Sequence, residues 1–71
     1  MSDIYKHTKS GNLYLFLGYV NNSTTGDEEV EYQALYEDCK KWTRPVYEFF
    51  GKIEINGEMK PRFENVVIKK L

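Results

Sequence analysis

Two arginines in this sequence stand beside a proline and near an aromatic residue. Arg44 precedes a proline and follows a tryptophan by two positions, and Arg62 lies between a proline and a phenylalanine. Because proline restricts the backbone next to it and aromatic rings stack on guanidinium groups, each arginine is a candidate fork for a carboxylate or a phosphate. The alternative for both arginines is a structural role, in which the guanidinium pairs with Glu29, Glu31 or a backbone carbonyl group.

His7 is the only histidine of the chain, and histidine is the side chain whose ordinary pKa lies nearest to neutral pH. No nucleophile or carboxylate stands at a spacing from it that is typical of a catalytic site. Three roles stay open: a structural hydrogen bond, which we favour, a ligand contact, and catalysis. Cys39 is the only cysteine, and one histidine with one cysteine does not supply the ligands of a metal site. We therefore predict no metal, no cofactor and no enzyme activity.

Tyrosines and a single tryptophan form the largest group of candidate residues. Aromatic side chains dominate small protein cores, which is the structural reading. They also line grooves that bind extended peptides, cations or stacked bases. The predicted ligand-binding set combines these aromatics with the cations: Tyr5, His7, Tyr36, Trp42, Arg44 and Arg62.

The length of 71 residues fits one domain with one small core, which we place at about residues 5–68. A single cysteine excludes a disulfide within the chain and favours a reducing compartment. The N-terminal segment lacks the apolar stretch of a signal peptide, and no apolar run approaches the roughly 20 residues of a membrane helix. We expect a soluble, cytoplasmic protein with no membrane contact.

The net charge of −1 hides a separation of charge along the chain. Residues 27–38 carry six acidic residues and no basic one, whereas residues 39–71 carry eight basic and four acidic residues. Because acids interleave with these bases, a solvated face of mixed charge is favoured over a nucleic-acid surface. Nucleic acid stays open as a partner but is not favoured.

Alternating apolar residues predict a long antiparallel hairpin in the first half of the chain. A short strand at residues 5–9 and a turn at residues 10–12 precede it. Its first strand, residues 13–20, is apolar on both faces, and Gly18 predicts a bend or bulge. Tyr14, Phe16, Gly18 and Val20 are expected on one face, and the residues between them, including Tyr19, on the other.

The second strand of the hairpin, residues 29–36, alternates with a period of two, which places Val30, Tyr32, Ala34 and Tyr36 inward. A polar connector leads to a short strand, residues 42–44, that ends at Pro45. One helical turn at residues 46–50, closed by Gly51, is predicted next, with Trp42 and Phe49 facing the core.

The C-terminal part is predicted to form a second hairpin. Residues 52–55 alternate as a strand, Asn56 and Gly57 form a tight turn, and residues 58–60 return antiparallel. Phe63 and the apolar residues Val66, Val67 and Ile68 are expected to cover the core, and residues 69–71 form a possible tail.

Many short strands with polar turns and no long helical period indicate an all-β protein. The order of strand, long hairpin, short strand, helical turn and final strand is that of a small SH3-like barrel with one short 3₁₀ or helical turn and an appended C-terminal hairpin. An OB-like barrel is the alternative.

A combination of short motifs runs through residues 5–63. Its members are Tyr5, His7, Lys9, Gly11-Asn12-Leu13-Tyr14, Leu17-Gly18, Tyr32, Ala34-Leu35-Tyr36, Trp42, Arg44-Pro45, Phe49, Gly57 and Pro61-Arg62-Phe63. Together they resemble the DUF1653 family, which consists of short bacterial and phage domains of unknown function. The resemblance implies a small β-rich domain and no activity. Ser10 lengthens a turn relative to the family pattern, and Leu15 with Phe16 replaces a more polar pair.

Two functions follow as hypotheses. The first is a non-catalytic binding module whose groove of aromatics and arginines takes a small anionic ligand, a peptide or a nucleic acid. The second is a structural or accessory domain that contacts another protein through the two-sided apolar strand at residues 13–20. The oligomeric state would be a monomer or a weak homodimer.

Overall fold

The protein is described by a computed structural model that covers residues 2–67, so the predicted cover by Ile68 and the tail at residues 69–71 lie outside the described residues. Within this range the elements follow in the order β1 (Ile4–His7), β2 (Leu13–Asn21), β3 (Glu28–Ala34), β4 (Lys41–Pro45), α1 (Val46–Phe49), β5 (Lys52–Ile55), β6 (Glu58–Pro61) and β7 (Phe63–Asn65). No helix in residues 2–67 is long and apolar enough to cross a membrane.

Five strands form one antiparallel sheet in the order β4-β3-β2-β1-β7, and β5 pairs with β6 in a separate hairpin. The predicted all-β class and both hairpins are confirmed. The predicted closure into a barrel is wrong, because β4 and β7 form opposite edges of an open sheet. The ring of Phe49 of α1 contacts Tyr32 on β3 and Phe63 on β7.

The hairpin of β2 and β3 contains a bulge at the predicted position. Its register moves by one residue between Phe16 and Gly18, and Gly18 has a φ of 151°, which side-chain-bearing residues rarely adopt. One extra residue in a strand reverses which side chains share a face. The predicted alternation is therefore wrong beyond the bulge: Tyr19, and not Val20, lies on the face of Phe16, with the two rings 5.4 Å apart.

The core lies on one face of the sheet, which we call the aromatic face. Cross-strand partners share a face, so the register places Tyr14 and Phe16 beside the inward residues of β3. The fully or nearly buried apolar residues are Val30, Tyr32, Ala34, Phe49 and Phe63. The inward positions predicted for residues 30, 32 and 34 are confirmed, while Tyr36 follows the end of β3.

A single helical turn covers the middle of the aromatic face. Pro45, with a φ of −49°, precedes it, and the Phe50 amide donates to the Val46 carbonyl over 3.1 Å. The turn ends at Gly51. Glycine is required at this position because a side chain would bring a Cβ atom within 2.5 Å of the Tyr47 carbonyl oxygen. The turn directs Phe49 into the core, where its ring stacks on Phe63 at a centroid distance of 4.2 Å.

Trp42 does not lie in the core, contrary to the sequence prediction. Its register partner is Tyr32, so it is on the aromatic face as expected, but its side chain is 50% exposed. The cause is its place on β4, the edge strand, whereas Phe49 packs against rings of β1, β2, β3 and β7. The predicted burial of Phe49 is confirmed, and Phe50 is half-exposed.

The opposite face of the sheet carries the second apolar side of β2. Leu13 and Leu17 remain 41% and 38% exposed there, so residues 2–67 do not fully cover this side. Gln33 of β3 pairs with Leu15 on this outer face, and Glu31 pairs with Gly18. The outer face therefore joins apolar residues of β1 and β2, including Ile4 opposite Leu15, to polar residues of β3.

Replacing Phe49 with alanine should unfold the protein, whereas replacing Trp42 with alanine should not. A fully buried phenylalanine contributes about 3–5 kcal/mol through lost contacts and the cavity left behind, which is about the whole stability expected at this chain length. Loss of the half-exposed Trp42 ring should cost only about 1 kcal/mol. Urea unfolding at 25 °C followed by circular dichroism measures both variants.

Tyr47→Ala is the matched control for this comparison, because Tyr47 lies on the same helical turn and is 77% exposed. It should retain the parent stability within about 0.5 kcal/mol. Equal destabilisation by Trp42→Ala and Phe49→Ala would contradict the division of the aromatic face into a buried and an open part.

Candidate functional site

The candidate site lies on the open part of the aromatic face, beside the Phe49 core. The structure brings five of the six predicted ligand-binding residues to this region: His7, Tyr36, Trp42, Arg44 and Arg62. Tyr5, the sixth, is half-buried and packs its ring against Phe49 at 5.3 Å. We therefore treat Tyr5 as a core residue and leave it out of the candidate site.

Arg44 projects from β4 onto the aromatic face, opposite Val30. Its Nη1 atom lies 3.1 Å from the Glu48 carboxylate, and its Nε atom donates weakly to the Tyr32 hydroxyl over 3.4 Å. The partners considered from the sequence, Glu29 and Glu31, alternate with Val30 and so point to the outer face. The side chain is 31% exposed, so the guanidinium remains accessible.

Arg62 approaches the same helical turn from the short segment between β6 and β7. Its backbone amide donates to the Gly51 carbonyl over 2.9 Å, and its Nε atom donates to the Glu48 carbonyl over 3.2 Å. Among residues 2–67, neither Nη1 nor Nη2 of Arg62 makes a hydrogen bond. The end of this guanidinium therefore offers two parallel donors for a planar or tetrahedral anion.

Glu48 joins the two arginines, and the sequence analysis missed it. Its carboxylate pairs with Arg44, and its backbone carbonyl holds Arg62. The signal in the sequence was its position four residues after Arg44 on a predicted helical turn, a spacing at which opposite charges meet. We call His7, Arg44 and Arg62 the cationic cluster. The Glu48 carboxylate partly neutralises its positive charge.

His7 completes this cluster on β1. Its ring meets Phe63 edge-on at 5.1 Å, and its Nδ1 atom accepts a hydrogen bond from the Ser10 amide over 3.3 Å. The neutral ring therefore carries its proton on Nε2. Burial lowers the pKa of His7 below its ordinary value, and the positive charges of Arg44, Arg62 and Lys9 lower it further. The structural hydrogen bond that the sequence favoured for His7 is present. Its donor is Ser10, the residue that lengthens the turn between β1 and β2.

Two tyrosine hydroxyl groups connect the cationic cluster to the far end of the face. The hydroxyl oxygens of Tyr14 and Tyr36 are 2.8 Å apart, and the Tyr14 ring contacts Tyr32, the partner of Arg44. Burial, together with the Tyr36 hydrogen bond, raises the pKa of Tyr14 to about 12. The Tyr14 hydroxyl therefore acts near neutral pH as an uncharged hydrogen-bonding group.

A shallow pocket of about 130 Å³ opens at the end of this row, where β3 turns into β4. We call it the Trp42 pocket, and the residues that line it are Ala34, Tyr36, Glu37, Asp38, Lys40 and Trp42. Tyr36 both pairs with the Tyr14 hydroxyl and lines this pocket. Trp42 and Arg44 lie two residues apart on the same face of β4, so the pocket borders the cationic cluster.

The chemistry offered by this surface is the recognition of charge. In residues 2–67 no three His, Cys, Asp or Glu side chains gather in a way that would hold a metal ion. The groups on this surface are guanidinium, imidazole, phenol, indole, carboxylate and ammonium, all of which bind through charge, hydrogen bonds or ring faces.

The comparisons with known proteins agree with the fold. A crystal structure of a protein from Bordetella bronchiseptica that belongs to DUF1653 superposes with a TM-score of 0.81; the two sequences are 27% identical, and the alignment covers 99% of this chain and 94% of that one. A search among curated proteins finds no match. The family described as Protein of unknown function (DUF1653) matches residues 3–65. The chain therefore belongs to the DUF1653 family.

Proposed function

We propose that this protein is a non-catalytic binding module that takes a small anionic ligand at its cationic cluster. The observation that supports it is the open end of Arg62, whose Nη1 and Nη2 atoms make no hydrogen bond within residues 2–67 while its Nε atom is held by the Glu48 carbonyl. A guanidinium that is fixed at one end and free at the other is oriented for a carboxylate or a phosphate.

The charge balance favours an anion at this place. Arg44 and Arg62 carry two positive charges, His7 adds a third when protonated, and the Glu48 carboxylate offsets one. These side chains are partly buried, so water screens an incoming anion less than it would on an open surface. The Tyr36 hydroxyl, already paired with Tyr14, lies at the edge of the same surface and offers a further hydrogen bond.

The size and surroundings of the site favour a small ligand over a nucleic acid. The acidic residues Glu37 and Asp38 border it at the Trp42 pocket, and a long polyanion would meet them as well as the cations. The arginines are held by hydrogen bonds, and no nucleophile paired with a base was found in the sequence, so binding without catalysis is the simplest reading. An exposed, unpaired Cys39 is consistent with the reducing cytoplasm that we propose as its location.

Protein contact through the outer face is the second candidate function. It is supported by the partial exposure of Leu13 and Leu17 on β2. We rank it lower because Gln33 and Glu31 of β3 adjoin this apolar side of β2, whereas the buried centre of a protein interface is depleted of charged residues.

Arg62→Gln should weaken the binding of inorganic phosphate roughly fivefold, since the loss of one partly exposed charged contact is worth about 1 kcal/mol. Backbone amide shifts recorded during a phosphate titration at pH 7 and constant ionic strength measure the affinity. Lys52→Gln is the matched control because it removes an exposed positive charge from β5. Equal affinities of the two variants, or shifts that do not saturate with the parent protein, would overturn the proposal.

The protonation of His7 should be linked to both stability and anion binding. Because the pKa of His7 in the folded protein lies below its ordinary value of 6.5, the unfolded chain takes up this proton first as the pH falls. As the pH falls from about 6.5 to the pKa of His7 in the folded protein, the contribution of His7 to the free energy of unfolding should therefore decrease.

His7→Asn tests this linkage, because the asparagine oxygen can still accept the Ser10 hydrogen bond without titrating. Urea unfolding between pH 7.5 and 5 should show the variant losing less stability than the parent protein. Sulfate, whose charge is constant over this range, should raise the pKa of the single histidine as read from its ring proton signals. A histidine pKa that is above 6.5 without sulfate, or that does not respond to sulfate, would contradict the linkage.

A further inference from the structure

We infer that the Trp42 pocket is a second subsite and takes an organic cation, an ammonium or guanidinium group. The ligand of this surface would then carry both charges, a cation in the pocket and an anion at the cationic cluster. Only the pairing of the two charges rests on the proposed function; the cation subsite can be filled without an anion.

The aromatic walls of the pocket are the first reason. Trp42 exposes half of its side chain, and Tyr36 forms a neighbouring wall over the buried Ala34. The faces of aromatic rings are negative, and tryptophan attracts a cation most strongly of the aromatic side chains. An exposed tryptophan on an edge strand contributes little to the fold, so its position calls for another explanation.

The charges around the pocket are the second reason. Glu37 and Asp38 supply two carboxylates, and Lys40 is the single cation among the lining residues. The Lys40 ammonium lies 3.8 Å from the Asp38 carboxylate, and both side chains are largely exposed. Such a pair is weak, so an incoming cation can displace it.

The pocket is held in shape by its own backbone. The Ala34 amide donates to the Lys40 carbonyl over 2.9 Å, and the Cys39 amide donates to the Tyr36 carbonyl over 3.1 Å. The Gln33 side chain also donates to the Cys39 carbonyl over 2.9 Å. These bonds fix the connection that carries the two carboxylates, which lowers the cost of ordering it when a ligand binds.

The spacing of Trp42 and Arg44 indicates the size of a ligand that would carry both charges. The two residues lie two positions apart on β4 and on the same face, so their Cα atoms are about 6.6 Å apart. A compound whose ammonium and anionic groups are separated by a few bonds can therefore span from the Trp42 ring to Arg44. A zwitterion of the size of an amino acid or a phosphorylated amino alcohol fits this description.

Choline tests the cation subsite alone, because it carries a quaternary ammonium group and no anion. Its neutral isostere, 3,3-dimethylbutan-1-ol, has the same shape without the charge. Trp42 is the single tryptophan of the chain, so its fluorescence reports directly on the pocket. At constant ionic strength choline should change this fluorescence in a saturable way, and the neutral alcohol should bind at least fivefold more weakly.

Three variants sharpen the test. Glu37→Gln should weaken choline binding roughly two- to fivefold, and Lys40→Gln should strengthen it roughly twofold by removing the competing cation. Glu54→Gln is the control, since it removes an exposed carboxylate from β5, and it should leave the affinity unchanged. Equal binding of choline and the neutral alcohol, or equal effects of Glu37→Gln and Glu54→Gln, would overturn the inference.

Arg62→Gln separates this inference from the proposed function. It should leave choline binding unchanged, because Arg62 is not among the lining residues of the pocket. Phosphate binding without choline binding would overturn the cation subsite and leave the anion site standing. Choline binding without phosphate binding would support the cation subsite and overturn the anion site.

Discussion

The packing of Phe49 against the sheet is the constraint on which the rest of the structure depends. One helical turn delivers a single fully buried ring, which touches aromatic residues from four strands. The sheet stays open, with β4 and β7 at its opposite edges. The helical turn follows the end of β4, whereas Trp42 lies near the start of that strand and is left half-exposed there.

The same helical turn positions the charges of the candidate site. Glu48 points towards Arg44 with its carboxylate and towards Arg62 with its backbone carbonyl, while Phe49, the next residue, enters the core. The core and the site are therefore coupled through adjacent residues. Gly51 is part of this arrangement, because its close approach to the Tyr47 carbonyl allows the chain to turn and present Arg62.

The sequence predicted most of the local structure, because those features depend on local patterns. Alternation in residues 29–34, the bulge at Gly18 and the tight turn at Asn56 and Gly57 all follow from residue type and period. Barrel closure and the burial of Trp42 were wrong, because they depend on how far one helical turn reaches across the sheet. The sequence did not predict that the strand faces reverse after Gly18, because this depends on which residue the bulge leaves unpaired. The roles of Ser10 and Glu48 depend on contacts in the folded chain, which composition does not reveal.

We expect His7, Arg44 and Arg62 to act as one anion site, and their side-chain resonances test this most directly. The chain contains two arginines and one histidine, so their side-chain signals are few and separable in a labelled sample. During a phosphate titration at pH 7, the Nε–H signals of both arginines and the ring signals of His7 should shift with one common midpoint. Different midpoints, or movement of a single arginine, would contradict a shared site.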